Sequence, residues 1–349
     1  MQMNSSVYFN SSCLMKELDD KSVELVVTSP PYPMVAMWDQ VFGEMSSESS
    51  AELGRDEGAK AFEAMHSVLD KVWNECFRVL INGGFACINI GDATRKLGDR
   101  FKLYPNHSRI TAAMTKTGFD CLPIIHWFKP TNSPTKFMGS GMLPSGAYVT
   151  LEHEYILVFR KGGKRVFNSE QAERRRRSAF FWEERNSWFS DRWSFKGASQ
   201  PMGSTDVDGR ERTAAYPFEL PHRLINMYSM QGDTVLDPFM GTGTTLAAAL
   251  VNGRGCQGYE TGQMLQPIIS EKAVAAAEGA AEFHEQRLGR HREYIKEYTS
   301  GRKQPAYTND HYGFRVVTRQ ERHIRLPVLT GYSTKAVAGR LDIRASYQE

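Results

Sequence analysis

The stretch Val26-Val27-Thr28-Ser29-Pro30-Pro31-Tyr32 decides the fold when it is set beside Val235-Leu236-Asp237-Pro238-Phe239-Met240-Gly241-Thr242-Gly243-Thr244-Thr245. Each is a short apolar run that meets residues unable to continue a central strand. Successive prolines supply no backbone N–H for a ladder and lock φ. Glycines separated by one residue permit positive φ and let a ligand approach the backbone closely. Both segments therefore read as a buried strand running into a special turn. Such turns carry ligands at the carboxyl ends of parallel strands.

The same grammar extends outward from both segments. Residues 23–27 form a β-branched strand, and residues 61–80 follow a helical period through Phe62, Met65, Leu69, Val72, Trp73, Cys76 and Leu80. Asn82-Gly83-Gly84 is expected to end that helix, with a strand over 85–90. A helix is expected over 107–117, stopping at Gly118, then strands over 122–128 and 154–159. Further on, the pattern predicts a helix over 220–228, a strand over 234–236, a helix over 244–252, a strand over 256–259 and an alanine-rich helix over 269–283. Strand–helix alternation of this kind implies an α/β fold, Rossmann-like and doubly wound, with a mainly parallel sheet. No internal repeat interrupts it.

One segment departs from the pattern. Residues 160–213 hold 13 Lys or Arg against 8 Asp or Glu, include Arg174-Arg175-Arg176-Arg177, and interleave Phe180, Phe181, Trp182, Trp188, Phe189, Trp193 and Phe195. This reads as an inserted module. Beyond the alanine-rich helix, Arg287, Arg290, Arg292, Arg302 and Lys303 read as a basic tail followed by short β-like runs.

At 349 residues and 41% hydrophobic, the chain can hold one large α/β domain plus a module. A net charge of +3 does not by itself indicate a polyanion partner. The five cysteines, at 13, 76, 87, 121 and 256, form no CxxC pair or cluster with histidine, so buried reduced thiols and no metal are expected. Residues 1–6 carry no basic-then-apolar leader pattern, and no run of about 18 apolar residues occurs. A cytoplasmic protein with no membrane span is the expectation.

The glycine turn has a definite chemistry. The helix opening at Thr244 offers free N–H groups and a positive dipole end, which favour a carboxylate. Glu260, closing the next strand, is placed to accept hydrogen bonds from two ribose hydroxyls. No Gly-Lys-Ser/Thr follows the glycines, which argues against a phosphate loop.

Together the two loops resemble those of the S-adenosylmethionine (SAM) dependent DNA amino-methyltransferases, over roughly residues 5–165 and 214–270. The order, catalytic loop first, is that of the family's circularly permuted β class. The resemblance implies Ser29, Pro30, Pro31 and Tyr32 as catalytic residues. It implies Asp237, Pro238, Phe239, Gly241, Gly243, Thr244 and Glu260 as cofactor-binding residues, with SAM as cofactor. Tyr216-Pro217-Phe218-Glu219-Leu220-Pro221 resembles the motif over the cofactor's methionine end, which adds Phe218. Where the family usually reads Gly-Asp-Cys, this chain has Asn10-Ser11-Ser12-Cys13, so Asn10 or Ser11 would substitute for the aspartate.

An exocyclic amino group is a poor nucleophile, and a serine hydroxyl with a carbonyl beside proline supplies two acceptors that favour its tetrahedral form. Tyr32 offers a face on which a flipped base stacks. Trp38 and Asp39 line the base pocket, or else serve as core packing and a helix cap. Ser29 points to cytosine N4, since adenine-modifying relatives mostly carry Asp there; adenine N6 and a non-catalytic DNA-binding relative are the alternatives. His153 and Glu154 are assigned a structural role. Arg174–Arg177 fall where the family places its target-recognition region, as DNA contacts or as a solvated face.

The implied organisation is 1–165 as catalytic half, 166–213 as DNA target-recognition insert, 214–284 as SAM-binding half and 285–349 as basic extension. Double-stranded DNA is the implied substrate and a cognate restriction endonuclease the functional partner, for a monomer or homodimer.

Overall fold

The computed structural model describes residues 1–129, 143–197, 216–301 and 304–348, and the backbone of 138–139. Its centre is an eleven-stranded sheet. In chain order the strands are β1 (Gln2–Tyr8), β2 (Val23–Thr28), β3 (Leu80–Ile90), β4 (Phe119–Cys121), β5 (Ile125–Phe128), β6 (His153–Lys161), β7 (Arg192–Ser194), β8 (Thr234–Asp237), β9 (Gly255–Tyr259), β10 (Leu329–Val337) and β11 (Arg340–Tyr347). Their spatial order is β7-β5-β6-β3-β2-β8-β9-β1-β11-β10, with β4 paired to β6. The run β3-β2-β8-β9-β1 is parallel. β6 is antiparallel to β3, and β11 is antiparallel to β1.

The helices are α1 (Asp39–Met45), α2 (Ser47–Gly54), α3 (Gly58–Val79), α4 (Asn106–Thr117), α5 (Ser169–Arg177), α6 (Trp182–Trp188), α7 (Glu219–Tyr228), α8 (Thr244–Val251) and α9 (Gln266–Ser300). One sheet face packs on α3 and α4 through Met65, Leu69, Trp73, Ile110 and Met114. The other packs on α7, α8 and α9 through Leu224, Ile225, Leu246, Leu250 and Ile269. This is the doubly wound α/β architecture that the alternation predicts.

Several boundaries differ from the sequence reading, each for a physical reason. α3 stops at Val79 and the chain passes straight into β3, so Asn82-Gly83-Gly84 lies inside the strand. Gly83 has φ +81, and the register against β2 jumps from Val23↔Leu80 to Leu25↔Phe85, a bulge that absorbs the extra residues. The expected 122–128 strand is split into β4 and β5 around Pro123, which has no N–H for the ladder. α9 runs to Ser300, far beyond 283, because a buried stripe continues through Ala277, Ala280, His284, Arg287, Leu288 and His291.

The basic tail is thereby corrected. Arg287 is 2% exposed within α9 and forms a double hydrogen bond with Glu184 of α6, at 2.6 and 2.8 Å. Arg292 pairs with Glu285, while Arg302 and Lys303 lie outside the described residues. The short β-like runs include β10 and β11, which join the main sheet. The aromatic-rich segment also reaches it, through β7, where Trp193 is buried; residues 198–213 of that segment lie outside the described residues. No helix among the described residues is long and apolar enough to cross a membrane.

Candidate active site

The parallel strands all deliver their carboxyl ends to one edge of the sheet. β2 and β8 are neighbours, so the Ser29-Pro30-Pro31-Tyr32 loop and the Pro238–Thr244 loop leave the sheet side by side. Antiparallel β6 begins at the same edge, which brings His153 and Glu154 beside them. A cavity of about 360 Å³ opens there, lined by residues from both loops together with Trp38, Glu154, Tyr216 and Glu260.

Asp237 ties the two loops together from below. Its carboxylate is 1% exposed and accepts hydrogen bonds from Thr28 Oγ1 at 2.6 Å, Thr245 Oγ1 at 2.5 Å, Tyr216 Oη at 3.1 Å and the Phe239 N–H at 3.1 Å. Burial raises its pKa, and these hydrogen bonds oppose the shift. Asp237 therefore supports the cavity rather than lining it.

The glycines divide their work. Gly241 lines the cavity with φ +52, and a Cβ there meets nothing nearer than 3.9 Å. Gly243, with φ +83, caps α8, and a Cβ there would lie 3.2 Å from Ile269. Its role is helix packing against α9 rather than contact with the cavity. Glu260 accepts from the Gly241 N–H through Oε2 and the Gly262 N–H through Oε1, both at 2.8 Å. Burial raises its pKa, and those two N–H groups hold it down. On the far side of the loop, Lys272 donates to Thr242 Oγ1 at 2.7 Å and Thr244 Oγ1 at 3.2 Å, and burial lowers its pKa to about 8.

The catalytic loop carries a polar network of its own. Ser29 Oγ donates to Tyr32 Oη at 3.2 Å, and Tyr32 Oη donates to Glu154 Oε2 at 2.9 Å. Asn89 Nδ2, from β3, donates to Tyr32 Oη at 2.8 Å and to Glu154 Oε2 at 2.7 Å. Lys129 pairs with the other oxygen of Glu154 and lies over the Trp127 ring at 4.4 Å. The pKa of Tyr32 is raised far above the usual phenol range, first by burial and then by the Glu154 charge. Gly91 admits the ring closely, since a Cβ there would sit 3.0 Å from it.

The structure brings Ser29, Pro30, Pro31, Tyr32, Trp38, Pro238, Phe239, Gly241, Thr244 and Glu260 to one cavity. Asn10 also lines it, with its amide donating to Glu17. Ser11 does not line it; its Oγ accepts from the Cys13 N–H at 3.3 Å, and Ser12 lines the cavity instead. Phe218 packs on His222 and Phe283, leaving Tyr216 as the aromatic residue of that motif facing the cavity. Asp39 turns away into a bidentate pair with Arg95, both contacts at 2.7 Å.

Arg174–Arg177 are also absent from the cavity. They end α5 at the opposite edge of the sheet, beside Gly232 and Asp233, which precede β8. A Cβ on Gly232 would meet Arg174 Nη1 at 2.7 Å, Arg175 lies over Phe167, and the Arg177 carbonyl accepts from the Arg325 N–H. The sequence reading singled out neither Asn89 nor Lys129 as a site residue, included Tyr216 only as part of the methionine-end motif, and assigned Glu154 a structural role. Glu154 stands at the centre of the network, held by Tyr32, Asn89 and Lys129. Elsewhere, Glu183, His291 and Glu321 hold ligand-type atoms within 4.8 Å of one another. Both ring nitrogens of His291 are already engaged there, by Glu183 Oε1 at 2.9 Å and the Arg315 carbonyl at 3.1 Å.

Residues 23–271 match the family model of N6/N4 DNA methylases. The chain belongs to the DNA methylase family. Among its relatives, the type II methyltransferase M.MthZI of Methanothermobacter thermautotrophicus is 49% identical over 329 residues, 93% of this chain and 91% of that protein. M.MjaI of Methanocaldococcus jannaschii, also a type II methyltransferase, is 48% identical over 77% of this chain and 91% of that protein. Among solved structures, TTHA0409 of Thermus thermophilus is described as a candidate DNA modification methylase and is complexed with S-adenosyl-L-methionine. It has TM-score 0.59 at 31% identity and covers 77% of this chain and 95% of that one. PvuII DNA methyltransferase (cytosine-N4-specific) shares the fold, with TM-score 0.53 at 17% identity over 77% of this chain and 86% of that one.

The methylase family uses S-adenosylmethionine as methyl donor. The cavity suits that molecule: Gly241 leaves its wall open, Glu260 faces it with carboxylate acceptors, and Phe239 adds an apolar surface.

Proposed function

We propose that this methylase acts on cytosine N4, on a base flipped out of duplex DNA, as the modification enzyme of a type II restriction system in the cytoplasm. Glu260 would hold the donor's ribose hydroxyls, and the Pro238–Thr244 loop its backbone-facing side. Bound S-adenosylmethionine supplies an activated methyl group. Ser29 Oγ and the carbonyl beside Pro30 accept from the amino N–H groups, which turns the nitrogen lone pair out of the ring plane. Tyr32 and Trp38 supply faces against which an extruded base stacks, each worth about 1–3 kcal/mol. The carrying observation is that Ser29 and Glu260, 231 positions apart in the chain, line one cavity. Ser29 supports cytosine over adenine, and the 49% identity to a type II methyltransferase over nearly the whole chain supports the restriction setting.

The test is to express the chain in cells, digest their DNA and identify modified bases by mass spectrometry. N4-methylcytosine is expected. N6-methyladenine alone would overturn the base assignment, and no modified base from a chain that binds donor normally would overturn the catalytic reading.

A further inference from the structure

When the target amino group gains a methyl group it must lose a proton. Resting on the reading above, we infer that Ser29, Tyr32 and Glu154 form a proton exit from the target nitrogen, with the Glu154 carboxylate as its terminus.

The direction of each hydrogen bond carries the argument. Asn89 Nδ2 donates to Tyr32 Oη and to Glu154 Oε2, at 2.8 and 2.7 Å. Being a donor, it cannot receive the Tyr32 hydroxyl hydrogen. That hydrogen points to Glu154 Oε2, 2.9 Å away. The Ser29 hydroxyl hydrogen points in turn to Tyr32 Oη, 3.2 Å away. Asn89 Nδ2 is also a long-range donor to Ser29 Oγ, at 3.4 Å, which leaves the hydroxyl, at the cavity wall, one further lone pair with which to accept from an arriving amino group. The chain of donors thus runs one way, from cavity to carboxylate.

The step balances. The nitrogen lone pair forms the N–C bond while the methyl carbon's bond to sulfur breaks and sulfur keeps the pair. One N–H bond breaks and its proton passes to Ser29 Oγ. The serine proton moves to Tyr32 Oη, and the tyrosine proton moves to Glu154 Oε2. Serine and tyrosine finish as they began, and Glu154 finishes neutral. Concerted transfer suits Tyr32, because burial makes a free phenolate costly there. Lys129, on the other oxygen of Glu154, is about one-third exposed and gives the pair contact with solvent, through which the proton leaves. Among the described residues, the titratable groups that hydrogen-bond to Glu154 are Tyr32 from the catalytic loop and Lys129 at the end of β5, while Asn89 from β3 is neutral.

The test is single-turnover methyl transfer by the full-length chain, with donor and DNA affinities measured in parallel across pH 4–9. Glu154→Gln keeps an acceptor for the Tyr32 hydroxyl and removes only the proton sink. Its rate should fall about 10²-fold, the scale of a lost general base, and the acid-side decline that the relay predicts for the unaltered chain should be absent. Tyr32→Phe keeps the ring and breaks the relay, so its rate should fall similarly with both affinities within about twofold of the unaltered chain. Lys129→Gln leaves the carboxylate in place and should keep the acid-side decline with a smaller loss of rate. Rates for Glu154→Gln and Tyr32→Phe equal to the unaltered chain would overturn the relay while leaving the methylation reading intact. So would a Glu154→Gln rate that falls while the acid-side decline persists. An unaltered chain that yields no methylated base would overturn both.

Discussion

Thr28→Val tests the junction of the two loops. The substitution is close to isosteric, so it opens no cavity in a position that is 1% exposed. It removes one of four hydrogen bonds to the buried Asp237 carboxylate, the 2.6 Å bond that links β2 to β8. Hydrogen bonds to charged groups contribute about 1.5–3 kcal/mol each, and a loss of that size is expected in urea unfolding at pH 7. With an m-value of about 3 kcal/mol/M, the midpoint should drop by roughly 0.5–1 M. The pH dependence has a defined sign. Burial raises the folded pKa of Asp237 above its unfolded value, so the folded state binds this proton more tightly and gains stability as pH falls through that window. The Thr28 bond favours the ionised form. The deficit of the variant should therefore be largest above the raised folded pKa and shrink as pH falls through it towards the ordinary Asp range. Stability within about 0.5 kcal/mol of the unaltered chain at pH 7 would refute the account of Asp237 as the clamp between the loops.

Other perturbations separate the roles assigned above. Gly243→Ala forces a side chain into φ +83 and to 3.2 Å from Ile269; a stability loss of about 1–2 kcal/mol is expected by thermal or urea unfolding. Gly241→Val should instead lower SAM affinity about tenfold or more by calorimetry, about 1.4 kcal/mol, because its side chain would enter the cavity. Breaking the buried Arg287–Glu184 pair with Arg287→Met should cost about 3–5 kcal/mol by leaving Glu184 uncompensated, read as a lowered unfolding midpoint. Converting Arg174–Arg177 to Gln should leave DNA affinity and its salt slope unchanged, because α5 lies at the sheet edge opposite the cavity; a slope shallower by several units, at about 0.9 per phosphate contact, would show that DNA reaches that edge.

The two loops were legible because Pro30, Pro31, Gly241 and Gly243 each break a strand in a way few contexts tolerate. The parallel sheet followed from apolar runs alternating with helical stripes. Glu154 and Asn89 were not legible, because each lies in or beside an apolar strand and its meaning depends on which strand stands next to it. Asp39 read equally well as pocket or cap, and its partner Arg95 lies 56 positions away on a side hairpin. The arginine run shows the same limit: composition shows its charge, but not the edge of the sheet at which it is displayed. Nor does the α9 stripe look apolar where its buried positions are His284, Arg287 and His291, whose polar atoms find partners only in the folded protein.

The position of β1 has a consequence for how the protein is made. It lies between β9 and β11, pairing with residues 257–259 on one side and 340–346 on the other. Translation at about 5–20 residues per second leaves this first strand without either partner for many seconds, well after β2 and β3 have emerged and can pair. The sheet is thus expected to assemble from its middle, with β1, which leaves the ribosome ahead of β2, among the last strands to be enclosed. A pause in translation before β9 would prolong the exposure of Val7 and its neighbours to chaperones and proteases, whereas a pause between β1 and β2 would add only its own length to a wait already set by the distance to β9.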